Sequence, residues 1–121
     1  MADPYHHSLS SVKKWGGDTE DYIAIHRWFD GSKASWCDPR HRAMRHHAEG
    51  IADSIERFGG EITLSTGKKV PVRWIGEQHV LEDLGRIPTF REWIMGMPSE
   101  GKPVPMWMIR PQKISKILEE G

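Results

Sequence analysis

Three arginines and three histidines stand within eight residues, Arg40-His41-Arg42-Ala43-Met44-Arg45-His46-His47, of a 121-residue chain. On a helix these groups crowd into about two turns and repel one another when protonated, so the segment needs a facing carboxylate, metal ion or anionic ligand. A metal reading takes His7, His26, His46, His47 and His79 as ligands. Asp30, Asp38, Glu49, Glu77, Glu82 and Asp83 are carboxylates able to join them or orient their rings, and a divalent transition metal suits such donors. The chain has no His-Glu-x-x-His pair, and His41 falls on a different helix face from His46 and His47, so ligands must come from several elements. His47 shares an apolar stripe with Ala43, Ile51, Ile55 and Phe58, and His26 one with Tyr22, Ile25 and Phe29, which predicts that these two histidines face each other. The competing reading makes the same histidines core residues satisfied by carboxylates or carbonyls.

A second chemistry is anion capture. Lys33, Arg40, Arg42 and Arg45 form a clamp at the start of the long helix expected there, where free backbone N–H groups already favour negative charge, with Glu49 and Glu77 lining the same site. A nucleotide fits such a clamp, with Trp28, Trp36 or Trp74 to stack on a base; in the bland alternative the arginines make surface pairs of little energetic weight. Joining clamp and metal gives a metal-dependent phosphohydrolase, in which metal-bound water attacks, an arginine stabilises the phosphoryl charge, and Glu49 or Glu77 acts as base. Other enzyme classes lack support. Cys37 precedes the helix that carries His41, Ser10 or Ser11 with His7 is weaker still, and no glycine-rich phosphate loop is present.

The elements that must position these groups follow from the punctuation. Ser8 to Trp15 reads as a helix stopped by Gly16-Gly17, and a second runs from a cap at Asp18 or Thr19 to Gly31. Asp38 as cap with Pro39 at the first position predicts one long helix reaching Phe58, before Gly59-Gly60. Alternation over Glu61 to Ser65 and at Val70, Val72 and Trp74 predicts a β-hairpin whose second strand, holding Pro71, is an edge. Glu77 to Leu84 reads as a short helix closed by Gly85, and Thr89-x-x-Glu92 is a capping box opening another. The expected fold class is α+β and mainly helical, with several short helices around one long helix and a single hairpin. Residues 1–97 form the expected globular domain, and 98–121 a Pro/Gly linker with a tail that docks on the core or on a neighbouring subunit.

The chain resembles a family of small uncharacterised proteins common among phage and prophage genes. The resemblance rests on Arg40-His41-Arg42-Ala43, Arg45-His46-His47-Ala48-Glu49-Gly50-Ile51, Gly76-Glu77-Gln78-His79-Val80, Glu82-Asp83-Leu84-Gly85 and Ile87-Pro88-Thr89, together with Trp28-Phe29-Asp30 and Ser32-Lys33. It covers roughly Pro4 to Trp93 and departs around Ala34 to Cys37 and beyond Met97. It implies a phage-type accessory protein without an assigned activity.

Composition narrows the partners. With 17 basic and 17 acidic residues the molecule has no net field to draw in nucleic acid, which is disfavoured as a partner. No apolar run approaches a membrane span and the start lacks a basic region followed by an apolar one, so a cytoplasmic location is expected, consistent with a single cysteine. Six tryptophans and the methionines Met95, Met97, Met106 and Met108 suggest an interface for a host protein or a homo-oligomer, or else a lid over the core. Binding of an anionic small molecule or host protein through the His/Arg-rich site is therefore the expected function, with phosphohydrolysis as the alternative.

Overall fold

The computed structural model describes residues 3–34, 39–97, 103 and 105–109. Among them the fold is α+β and mainly helical, with five α-helices and one two-stranded sheet. Asp3 caps α1 (Pro4–Trp15) by accepting from His6 N, so the helix starts four residues before the expected Ser8. A capping box between Asp18 and Asp21 opens α2 (Thr19–Asp30), which buries Tyr22, Ile25, His26 and Phe29.

The long helix expected from Pro39 to Phe58 is divided. Pro39–Met44 is a 3₁₀ helix, the chain turns at residues 45–47, and α3 spans Ala48–Phe58. Two contacts explain the break. The His47 side chain accepts from Gly50 N at 2.8 Å and so serves as the N-cap of α3. The Arg45 carbonyl lies so close to Gly50 that a Cβ there would come within 1.9 Å of it, so only glycine lets the turn fold back on the helix. The expected cap Asp38 lies outside the described residues.

The hairpin is shorter than its alternation suggests. β1 (Glu61–Thr63) pairs antiparallel with β2 (Lys69–Pro71), with Ile62 opposite Val70. Val72 and Trp74, expected in the second strand, instead open α4 (Val72–Leu84), because Pro71 holds an extended backbone and occupies the N-cap position of that helix. α4 buries Val72, Ile75, Gly76, Gln78, His79, Val80, Asp83 and Leu84, and Gly85 closes it with a left-handed φ of 75°. A Cβ at Gly76 would meet the Phe29 ring at 3.0 Å, so this glycine lets α2 and α4 pack closely.

The Thr89/Glu92 capping box opens α5 (Phe90–Gly96). Its Trp93 is fully buried, donates to the His46 carbonyl and packs at a tilt against Trp107, 4.8 Å between ring centres. Trp107 precedes Met108, which is buried in the core, so the described turn Met106–Met108 packs onto the domain. No helix among the described residues is long and apolar enough to cross a membrane.

Candidate metal centre

α1, α2, α4 and the segment before α3 converge on a buried polar cluster. Helical periodicity explains how each element contributes. His26 and Asp30 are one turn apart on α2, and His79 and Asp83 one turn apart on α4, so each helix projects an imidazole and a carboxylate from one face. The turn ahead of α3 delivers His46, and α1 delivers His7 and Ser11; all three are fully buried.

The donor atoms meet closely. His46 Nε2 lies 2.8 Å from Asp83 Oδ2 and 3.7 Å from Asp30 Oδ1, and His79 Nε2 lies 3.3 Å from Asp30 Oδ1 and 3.4 Å from Asp83 Oδ2. One ligand atom from each of these four residues falls within 4.8 Å of the other three. Metal bonds of about 2.1 Å in a tetrahedron set ligand-to-ligand edges of about 3.4 Å, so the observed separations bracket those of a loaded two-histidine, two-carboxylate site. Imidazole and carboxylate without thiolate suit Zn²⁺, Fe²⁺, Co²⁺ or Mn²⁺.

The electrostatics fit a cation. Burial alone would raise the Asp83 carboxyl, but its hydrogen bond with His46 and the nearby imidazoles of His7 and His79 outweigh it and hold that group well below the usual carboxylate range. Burial pushes the His46 imidazole down to about 4 despite its contact with Asp83, leaving the ring neutral and able to ligate at neutral pH. His7 is the opposite case. Burial disfavours its charge, yet Asp83 and Glu82 raise it to about 9. His7 Nδ1 lies 2.7 Å from Glu82 Oε1 and Nε2 3.2 Å from Asp83 Oδ1, so His7 is a charged neighbour bracing both acids. The second contact is close but poorly aligned: His7 Nε2 and Asp83 Oδ1, like His46 Nδ1 and Arg42 Nε, are buried without a hydrogen-bond partner. Each such atom keeps a hydrogen-bonding valence that a water or an ion can take up.

Four of the five candidate metal histidines, His7, His26, His46 and His79, thus lie in one cluster. His47 is engaged elsewhere, with Nδ1 capping α3 and Nε2 3.1 Å from the Ala43 and Met44 carbonyls, so the expected pairing of His26 with His47 gives way to one of His26 with His79.

The anion-clamp candidates scatter. Arg42 is buried, donates to the Met108 and Ile109 carbonyls and lies 3.9 Å from Asp83 Oδ1. Arg45 donates to the Trp28 carbonyl and lies over the Trp28 ring. Lys33 is exposed, Glu49 accepts from Phe90 N, and Glu77 pairs with Arg73 on the surface. Arg40 and Arg45 do share a cleft of about 580 Å³, lined also by Gly31, His41, Phe90 and Ile94. That cleft adjoins the cluster, since Gly31 follows Asp30 and the His41 ring stands edge-on to His46 at 6.1 Å. Gln78 carried no expected role; its helical spacing to Glu82 is visible in the sequence, but its contact with Ser11 joins residues far apart in the chain.

No curated protein and no solved structure matches the chain. Residues 2–108 match the family described as a domain of unknown function, DUF6915, and with nearly the whole described fold inside that match the chain belongs to this family.

Proposed function

We propose that the domain is a metal-binding module in which Asp30, His46, His79 and Asp83 hold one divalent transition-metal ion. The observation that carries this reading is the set of four imidazole-to-carboxylate separations, 2.8 to 3.7 Å, among His46, His79 and Asp83, all buried, and the partly buried Asp30, from three parts of the chain. Elemental analysis of untagged protein purified without chelator tests it. About one transition-metal ion per chain is expected, lost in His79→Ala and in Asp83→Ala; a folded wild-type protein that neither retains metal nor takes up added Zn²⁺ or Co²⁺ would refute it.

The adjoining cleft favours a second reading built on the first. Its two arginines suit a phosphate or carboxylate, and its apolar wall of Phe90, Ile94 and Met97 suits the body of a small molecule. The module would then present its metal to an anionic ligand, and metal-assisted hydrolysis of a phosphate ester is the reaction such an arrangement serves. Metal-loaded protein assayed on a panel of phosphate esters decides between binding and turnover. Turnover that Arg45→Ala weakens while metal content stays constant supports hydrolysis; ligand-dependent thermal shifts without turnover leave a binding module.

A further inference from the structure

The protons around His79 can be counted. Gln78 Nε2 donates to the His7 carbonyl and to Glu82 Oε1, each at 2.9 Å. The His7 carbonyl can only accept, which fixes the amide nitrogen on that side and turns Gln78 Oε1 toward Ser11 Oγ at 2.5 Å. Ser11 owns one hydroxyl proton. Gln78 Oε1 carries no proton, so at 2.5 Å the hydroxyl proton must lie between the two oxygens, and a lone pair of Oγ faces His26 Nε2 at 2.8 Å. His26 must then carry its proton on Nε2. Among the described residues no carboxylate pairs with this fully buried ring, whose partners are the Ser11 hydroxyl and His79, so it stays neutral and His26 Nδ1 is a bare acceptor. His79 Nδ1 stands 2.9 Å from it and is the donor.

We infer that Gln78, Ser11 and His26 form a positioning relay that fixes a proton on His79 Nδ1, so that Nε2 is the nitrogen His79 offers to the centre. This rests on the metal centre proposed above and adds its directionality. Ligating histidines are commonly held by a partner on the second ring nitrogen; here the partner is another histidine, itself held through a hydroxyl and an amide. The relay also separates two candidate ligand sets. The donor atoms of His7, His26 and His79 lie within 4.8 Å of one another as well, but both nitrogens of His26 are committed, which leaves the set with Asp30, His46 and Asp83. Residues of α1 thereby act on the metal without touching it.

Two measurements test the relay. Long-range ¹H–¹⁵N spectra of metal-free, histidine-labelled wild-type protein are expected to place ring protons on His26 Nε2 and His79 Nδ1; a proton on His26 Nδ1 facing a bare His79 Nδ1 would overturn it. Competition titration with Co²⁺ is expected to show Ser11→Ala binding about 10–100-fold more weakly than wild type, with unfolding checked in the metal-free state to separate this loss from misfolding. Wild-type affinity in Ser11→Ala overturns the relay's role in metal binding. A wild-type protein that takes up no Co²⁺ refutes the metal centre, while the ring-proton positions still decide the relay.

Discussion

The same two helices build two unlike interiors. Tyr22, Ile25 and Phe29 of α2 meet Val72, Ile75, Val80 and Leu84 of α4 in an apolar core, all buried. One position along each helix, His26 and Asp30 meet His79 and Asp83 in the polar cluster. The apolar region is held by area and shape, which are non-directional and tolerate exchanges of similar volume. The polar region is held by individual atoms at fixed separations, and burying its charges carries a desolvation cost that well-packed leucines would avoid. The costlier arrangement is the one the proposed cation would offset, since a metal bound between the two carboxylates compensates charge that leucines would not carry.

The sharpest way to break this contrast is to damage each region once. Phe29→Ala and Asp83→Ala are both expected to destabilise the metal-free protein by about 3–5 kcal/mol, the first through a cavity and the second by stranding the buried charges of His7 and Arg42. Only Asp83→Ala should abolish metal uptake. Denaturant unfolding with and without Zn²⁺ separates them, and a Phe29→Ala protein that folds yet loses its metal would show that the regions are not independent.

Acid is expected to act mainly through the polar region, with a smaller contribution of the same sign from His47, which burial also pushes down. His46 is pushed down to about 4 and His26 lower still, so between about pH 6.5 and 4 the unfolded chain takes up protons that the native state refuses. Metal-free stability should fall as pH drops through that window, by about 1.4 kcal/mol per pH unit for each histidine. His7 has the opposite sign. Raised to about 9, it contributes fully below about pH 6.5, and its contribution is lost as pH rises through 9. Urea titrations from pH 4.5 to 9.5 check this, and a flat profile would mean that the cluster opens to solvent.

The smallest effect sharpens the boundary of the centre. His47→Ala removes the α3 cap and should cost about 1 kcal/mol without altering metal content, with His47→Asn restoring most of it. His6→Ala, on an exposed residue bonded to Asp3, should move stability by a few tenths of a kcal/mol at most. Loss of metal in His47→Ala, measured by elemental analysis, would place the centre's boundary elsewhere.

Much of the scaffold was legible because local chemistry decides it. The cap at Asp18, the box at Thr89/Glu92 and the stops at Gly16, Gly59 and Gly85 mark real element ends. The break before α3 was not, since residues 40–48 hold no glycine or proline, and the turn depends on a histidine acting as a cap and on a carbonyl packed against Gly50. Val70, Val72 and Trp74 mislead by alternating, because the helix begins at Val72 inside the pattern. At the cluster, two matched His-x-x-x-Asp pairs, 26/30 and 79/83, carry a signal that a search for His-Glu-x-x-His passes over. The Ser11 contact with Gln78 spans 67 residues and has no local signature.

Arg42 gives the cluster a mechanical reach. One guanidinium links the carbonyls of Met108 and Ile109 to the neighbourhood of Asp83. Detaching the 106–109 turn would strip acceptors from a buried cation and leave Asp83 as its remaining counter-charge, in competition with any metal there. On the metal centre proposed above, docking of the 106–109 turn and cation binding would be coupled free energies, and by reciprocity metal binding would tighten that turn.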